Sequence, residues 1–222
     1  MGKPLVGQHS HSLTGISRLL TGPKIGLLVL AVRARSFNRW KVLRQTNRIG
    51  SNCDIHPTAY IEGSTIGDNV KIGAGAIVRE CIVGSNTYIA NAAAAELSVI
   101  GEGCVLQGGA VVQYCVLYPG AFTFSKGLNA SMCGRDTFVG DGACLTDFRF
   151  DGAPVTVMKC GTRVSTGNTF LGACLGHNVY LGSGCVIAPG RAIPNGLHIA
   201  VAKERLIASF PASGEVPGFH II

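Results

Sequence analysis

The fold is decided by residues 53–117, CDIHPTAYIEGSTIGDNVKIGAGAIVRECIVGSNTYIANAAAAELSVIGEGCVLQGGAVVQYCVL. Aliphatic or small residues recur there at positions 55, 61, 66, 72, 78, 83, 89, 95, 100, 106, 112 and 117. The steps are of six or five residues, and each group of three adds to 17. Three columns result: Ile55, Ile72, Ile89 and Leu106; Ile61, Val78, Ala95 and Val112; Ile66, Val83, Ile100 and Leu117. Neither the 3.6-residue period of a helix nor the 2-residue period of a strand produces this spacing.

Three short strands per turn, each ending at a tight corner, do produce it. One aliphatic residue per side points inward, and successive turns stack at strand spacing, ~4.8 Å. This is the hexapeptide-repeat parallel β-helix, a solenoid of mainly β class. Ser64, Cys81, Ser98 and Cys115 form a further column of small residues. Cys81 and Cys115 fall two turns apart, about 9–10 Å, which is beyond disulfide reach.

Composition supports a packed domain. Apolar residues make up 47% and charged residues 14%, which excludes disorder. The longest apolar-and-glycine run, Ile25 to Val32, is far short of the ~20 residues that a membrane-spanning helix needs. The nine cysteines have no C-x₂-C pair, which fits small packing residues in a reducing compartment. No apolar core of a secretory signal is visible in residues 1–22, so a cytoplasmic protein is the expectation.

Charge divides the chain. Residues 1–50 carry nine Lys or Arg and no acid, whereas residues 51–222 carry ten bases and twelve acids. The expected organisation is a basic, helical N-terminal arm over 1–50, the β-helix over 51–201, and a C-terminal cap and tail over 202–222. Such an arm suits an anionic membrane surface, with peripheral attachment, or an acidic protein partner, and suits nucleic acid less well. The repeat breaks at Tyr118-Pro119-Gly120, is faint through Ser131, and returns at Val139 and Leu145. It then yields to residues 146–168, whose Phe148, Phe150, Val155, Val157 and Met158 mark an ordered excursion, of the kind that crosses to a neighbouring subunit or forms the wall of a ligand site.

Within residues 139–196, Arg149-Phe150-Asp151, Val164-Ser165-Thr166-Gly167, Leu171-Gly172 and Leu175-Gly176-His177-Asn178-Val179 carry a resemblance to a known family. The segment resembles the acetyltransferase half of archaeal-type bifunctional sugar-1-phosphate nucleotidylyltransferase/acetyltransferases. The resemblance implies a left-handed β-helix, a homotrimer, and acetyl-CoA or another acyl-CoA held across two subunits. Only about 50 residues precede the first turn, without the family's G-x-G-T-x-x-R loop, so nucleotidyl transfer is not expected. The family's histidine base aligns near Arg135, its tyrosine becomes Phe138, and its asparagine becomes Asp147.

Arg135 keeps its proton at neutral pH and cannot act as the base. Asp147 is the best-placed alternative base, and His177, at a corner, is the second candidate. Arg135, Arg149, Lys159 and Arg163 are candidate ligand-binding residues for phosphates of CoA or of a sugar nucleotide. His177 is the only histidine between residues 57 and 197, so no metal site is expected. Two functions remain open at this point. One is an acyl- or acetyl-CoA-dependent transferase acting on a sugar or sugar nucleotide with a rearranged site. The other is a non-catalytic trimeric β-helix scaffold docked on a membrane or larger complex through its basic arm.

Overall fold

The structure, a computed structural model, describes residues 38–202. Most of the basic arm and the C-terminal cap therefore lie outside the described residues. A short helix, α1 (Arg39–Arg44), leads into a parallel solenoid. Its first sheet has eight strands, from Arg48–Ile49 through Thr65–Ile66, Val116–Leu117, Met132–Cys133 and Cys174–Leu175 to Ala192–Ile193. The second has eight, from Asp54–Ile55 to His198–Ile199, and the third has seven, from Tyr60–Glu62 to Val186–Ile187.

The inward columns are those that the 17-residue period predicts. Ile72, Ile89, Leu106, Val78, Ala95, Val112, Val83, Ile100 and Leu117 are all buried, none above 2% exposed. Strands pair in the register that the period requires: Ile55 with Ile72, Ile61 with Val78, Ile66 with Val83. Ile55 and Ile61, in the first coil, are only half-buried.

The faint stretch Tyr118–Ser131 is a full coil of the same solenoid. Val116 pairs with Met132, Val112 with Leu128 and Phe122 with Phe138, so this coil is one residue shorter than those before it. Its inward residue on the second sheet is Thr123, whose hydroxyl accepts the N–H of Ser125 at 2.9 Å. A hydroxyl satisfied within its own coil can enter an apolar core, and that hides the column from a hydropathy reading.

The third corner shows how the coils lock together. Glu80, Leu97, Tyr114 and Ala130 each have a left-handed backbone, with φ of 51°, 48°, 55° and 45°. The next residue in each coil is buried Cys81, Ser98, Cys115 or Ser131. Ser98 Oγ donates to Glu96 O at 2.7 Å and accepts Cys115 N–H at 3.0 Å. Ser64 and Ser131 repeat this arrangement. Cys81 and Cys115 keep the local half of it, donating to Arg79 O at 3.2 Å and Gln113 O at 3.1 Å.

Burial pushes the thiols of Cys81 and Cys115 up to about 12 and that of Cys104 up to about 11, against an ordinary value of 9.0. Unfolded thiols ionise above pH 9 while the buried ones stay protonated. The folded state then binds more protons, and stability, full below pH 9, is lost as pH rises toward 12. The loss is about 1.4 kcal/mol per pH unit for each thiol. Because serine occupies the same column in alternate coils, the Cys81→Ser/Cys115→Ser protein should fold normally at pH 7. Its denaturation midpoint should also fall less steeply than that of the parent between pH 9 and 11, measured in guanidinium titrations.

Candidate functional site

Two groups of the singled-out residues flank the outer face of the first sheet. Arg135 and His177 stand at the corner between the first and second sheets, on successive coils. Asp147, Arg149, Lys159 and Arg163 belong to the excursion, which leaves the solenoid at its third corner, after Cys144–Leu145. Between the groups lie the outward side chains of Val116, Met132 and Cys174, all half-buried. The two-residue strand Cys174–Leu175, about 7 Å long, lies between the corner and the base of the excursion.

His177 sits in a hydrogen-bonded ladder. Its Nδ1 accepts the backbone N–H of Arg135 at 2.8 Å, and its own N–H donates to Asn195 Oδ1 at 2.8 Å. Asp68 and Ser85 occupy the same corner position in earlier coils. Asp68 Oδ1 accepts the N–H of Ser51 at 2.6 Å, and Ser85 Oγ that of Asp68 at 3.1 Å. The neutral imidazole therefore carries its proton on Nε2, pointing away from the ladder. It can donate a hydrogen bond to a ligand, but its basic lone pair is engaged. The ring of Tyr118 meets it edge-on at 6.0 Å.

Phe138 lies one strand from Arg135, on the outer face of the second sheet. It stacks between Phe122 at 5.7 Å and Tyr180 at 5.9 Å, with interplanar angles of 23° and 22°. A phenyl ring suits this ladder, since no hydrogen-bonding group is required of it.

The excursion is ordered and anchored. Val155 is fully buried; its N–H donates to Asn168 O at 2.7 Å and its carbonyl accepts from Thr166 N–H at 2.9 Å. Thr156–Lys159 and Thr162–Ser165 form an antiparallel hairpin closed by Cys160-Gly161, with φ of 48° and 79°. Two positive φ values in a two-residue loop are those of a type I′ turn. Arg191 Nη1 donates to Thr156 O at 3.3 Å from the following coil. Gly190, at φ +70°, lets that coil approach: an added Cβ would lie 2.6 Å from Val155 Cγ1 and collide with Thr156 O.

At the excursion's base, Asp147 is half-buried and its carbonyl accepts the N–H of Leu171 at 2.9 Å. Its carboxylate adds to burial in raising the pKa of the nearby Cys144 thiol. Phe148 and Phe170 pack at 5.1 Å, and Phe170 meets Tyr114 edge-on at 5.8 Å, which ties the excursion to the solenoid corner. Arg149 makes a forked ion pair with Asp151, its Nε at 2.9 Å from Oδ1 and its Nη2 to Oδ2. The guanidinium holds the Asp151 carboxyl well below the usual carboxylate range. Lys159 faces Thr162 across the hairpin and Arg163 faces Met158, so the two cations project from opposite faces of the ribbon.

Sequence reasoning did not single out Tyr114, Phe170, Gly190 or Arg191. Each matters through a neighbour distant in the chain, and the only local signal is a glycine within a corner of the last coil. Among the described residues no group of His, Cys, Asp and Glu could hold a metal ion, and no helix is long and apolar enough to cross a membrane.

The model of the GMPPB C-terminal domain matches residues 41–133, from the short helix through the strand Met132–Cys133. The solved structures similar to this chain include a mutant GDP-perosamine N-acetyl transferase from Caulobacter crescentus in complex with CoA and GDP-perosamine. It is 17% identical, with a TM-score of 0.26, over 70% of this chain and 53% of that one. The acetyltransferase domain of PglB from Neisseria gonorrhoeae, in complex with acetyl coenzyme A, is 22% identical with a TM-score of 0.21, over 68% and 52%. A polysialic acid O-acetyltransferase is 19% identical with a TM-score of 0.25, over 70% and 78%. The chain spans about half the length of the first of these. No curated protein matches it.

His177→Asn retains an oxygen acceptor for the Arg135 amide and should leave stability within about 1 kcal/mol of the parent, whereas His177→Leu should lose about 1 kcal/mol, read from urea midpoints. Gly190→Ala should unseat the hairpin while the solenoid stays folded. Trypsin should then cut at Lys159 and Arg163 several-fold faster, with an unchanged far-ultraviolet circular dichroism spectrum.

Proposed function

We propose that this β-solenoid, whose residues 41–133 match the GMPPB C-terminal domain, is an acyl-CoA-dependent transferase acting on a sugar or sugar nucleotide as a homotrimer. The observation that supports this reading is the anchored excursion standing over one edge of an apolar strip on the first sheet. At the strip's other edge is the corner that carries Arg135 and the His177 Nε2–H. An extended pantetheine arm would cross this strip in the strand direction over Met132 and Cys174, with its phosphates toward the cationic corner and its thioester toward Asp147.

The chemistry asked of the chain is small. Asp147 takes the proton of the acceptor's amine or hydroxyl as that nitrogen or oxygen attacks the thioester carbonyl. The carbon–sulfur bond breaks, CoA leaves as thiolate, and the proton passes from Asp147 to the sulfur. Acetyl or another acyl group is thereby moved without a metal or a covalent enzyme intermediate. A single chain leaves the strip open to solvent. Phe150 is fully exposed, and Phe148 and Met158 are more than half exposed, which supports a second copy closing over the excursion.

One set of observations favours the non-catalytic scaffold instead. The His177 lone pair is engaged, Arg149 is held by Asp151, and Lys159 and Arg163 point apart. Calorimetric titration with acetyl-CoA and CoA separates the two. Micromolar binding, three copies per particle in sedimentation, and a loss of at least 100-fold in kcat for Asp147→Asn with unchanged CoA affinity are the expected results. A trimer that binds neither compound would establish the scaffold.

A further inference from the structure

The solenoid carries two groups of aromatic rings that differ in what covers their faces. On the second sheet, Phe138 stacks between Phe122 and Tyr180, nearly parallel to both, so the faces of the middle ring are occupied. At the third corner, Tyr114 meets Phe170 at 87° and Phe148 meets Phe170 at 53°. Edge-on and tilted contacts leave ring faces uncovered. Phe148 is 56% exposed, Tyr114 43% and Phe170 38%. A single exposed ring is ordinary on a protein surface, but three in contact form a patch that calls for a partner.

The backbone sets this patch beside the candidate base. The carbonyl of Asp147 accepts the N–H of Leu171 at 2.9 Å; Phe148 follows Asp147, and Phe170 precedes Leu171. One hydrogen bond thereby places both phenyl-bearing residues a single Cα step, ~3.8 Å, from the bonded pair. Tyr114 joins them from the solenoid itself, at a left-handed corner with φ of 55°.

The chain neighbours of the rings are polar. Gln113 precedes Tyr114, and Asp147 and Arg149 flank Phe148. The fork from Arg149 to Asp151 uses two of the five N–H donors of the guanidinium. This mixture discriminates between occupants. The core of a protein–protein contact is depleted of charged residues. A pyranose offers a C–H face to aromatic rings and a rim of hydroxyl or amino groups to carboxylate, amide and guanidinium, which is the combination present here.

We propose that Tyr114, Phe148 and Phe170 form the platform on which the acceptor's pyranose ring stacks, presenting its amine or hydroxyl to Asp147. The platform's role rests on the acyl transfer proposed for this site and adds the choice of acceptor to it. That choice is made by the fit of a sugar face to three rings, apart from the strip assigned to the acyl-CoA. The proton transfer itself stays with Asp147.

Saturation-transfer NMR of the full chain, with a panel of hexopyranoses and aminohexopyranoses as free sugars and 1-phosphates, tests the platform. In the parent, the ring C–H protons of at least one sugar should be saturated. Phe170→Leu and Tyr114→Leu keep apolar bulk against the excursion but remove the flat face. Each should weaken binding of that sugar at least ~10-fold, whereas Phe148→Trp should stay within ~3-fold of the parent. Tryptic cleavage at Lys159 and Arg163 should keep the parent's rate in all three variants. Saturation of no sugar would overturn the proposal, as would leucine variants that bind like the parent. So would sugar loss accompanied by faster cleavage, the rings then being packing residues, or fewer copies per particle in sedimentation, the rings then belonging to a subunit contact. Calorimetry with CoA separates the platform from the wider function. A parent that binds CoA but no sugar rejects the platform alone, whereas one that holds a sugar on the rings but no CoA rejects acyl transfer and leaves the platform standing.

Discussion

Every part of this molecule depends on the amide ladder between consecutive coils. The N–H of Gly67 donates to Val83 O at 2.8 Å, that of Gly84 to Ile100 O at 2.8 Å, and that of Gly101 to Leu117 O at 2.8 Å. Such a ladder holds only if each coil returns to the same place after three sides. The return demands one inward aliphatic residue per side, a backbone able to turn at each corner, and small side chains where coils meet. The 17-residue period records that geometric closure. It survives the loss of one residue in the coil of Phe122 and Leu128 because the closing hydrogen bonds are kept.

The same constraint decides which chemically suggestive residues are free to act. A corner position in a stacked coil faces the backbone of the coil before it, and a polar side chain there satisfies that neighbour's N–H. His177, Asp68, Ser85 and Asn195 all do so, although imidazole, carboxylate, hydroxyl and amide are chemically unlike. The serine and cysteine column follows the same logic one corner away, where hydroxyls and thiols occupy equivalent places. Phe138 is likewise absorbed into an aromatic ladder. In a solenoid, the repeat has first claim on polar and aromatic side chains, and function is left to what departs from it.

What departs here is the excursion after Leu145. It is held not by its own hydrogen bonds alone but by Val155 against Gly190, Arg191 against Thr156, and Phe170 against Tyr114. These anchors come from coils on both sides of the insertion. They fix Asp147 and the hairpin relative to the first sheet's outer strip, which a loop of this length could not do by itself. The strip is shaped by one edge made in the excursion and another made at a corner, so a site there is assembled from segments that the repeat brings together.

The sequence alone determined the solenoid, its inward columns, the packing role of Cys81 and Cys115 and the existence of an ordered excursion. Cys160, grouped with the packing cysteines by its spacing, is instead exposed in the hairpin turn. Periodicity is a local property that closure of each coil writes into residues a fixed distance apart, so Ile72, Val78 and Val83 could be read without coordinates. The sequence also marked Asp147, Arg149, Lys159, Arg163, Arg135 and His177 as chemically able. Only the tertiary structure decided what they face. It committed the His177 lone pair to the Arg135 amide, turned Arg149 onto Asp151, and set Lys159 and Arg163 on opposite sides of a type I′ hairpin. It also brought Tyr114, Phe170, Gly190 and Arg191 into the candidate site. Those contacts join residues tens of positions apart at intervals unrelated to the 17-residue period, and no spacing in the chain encodes them.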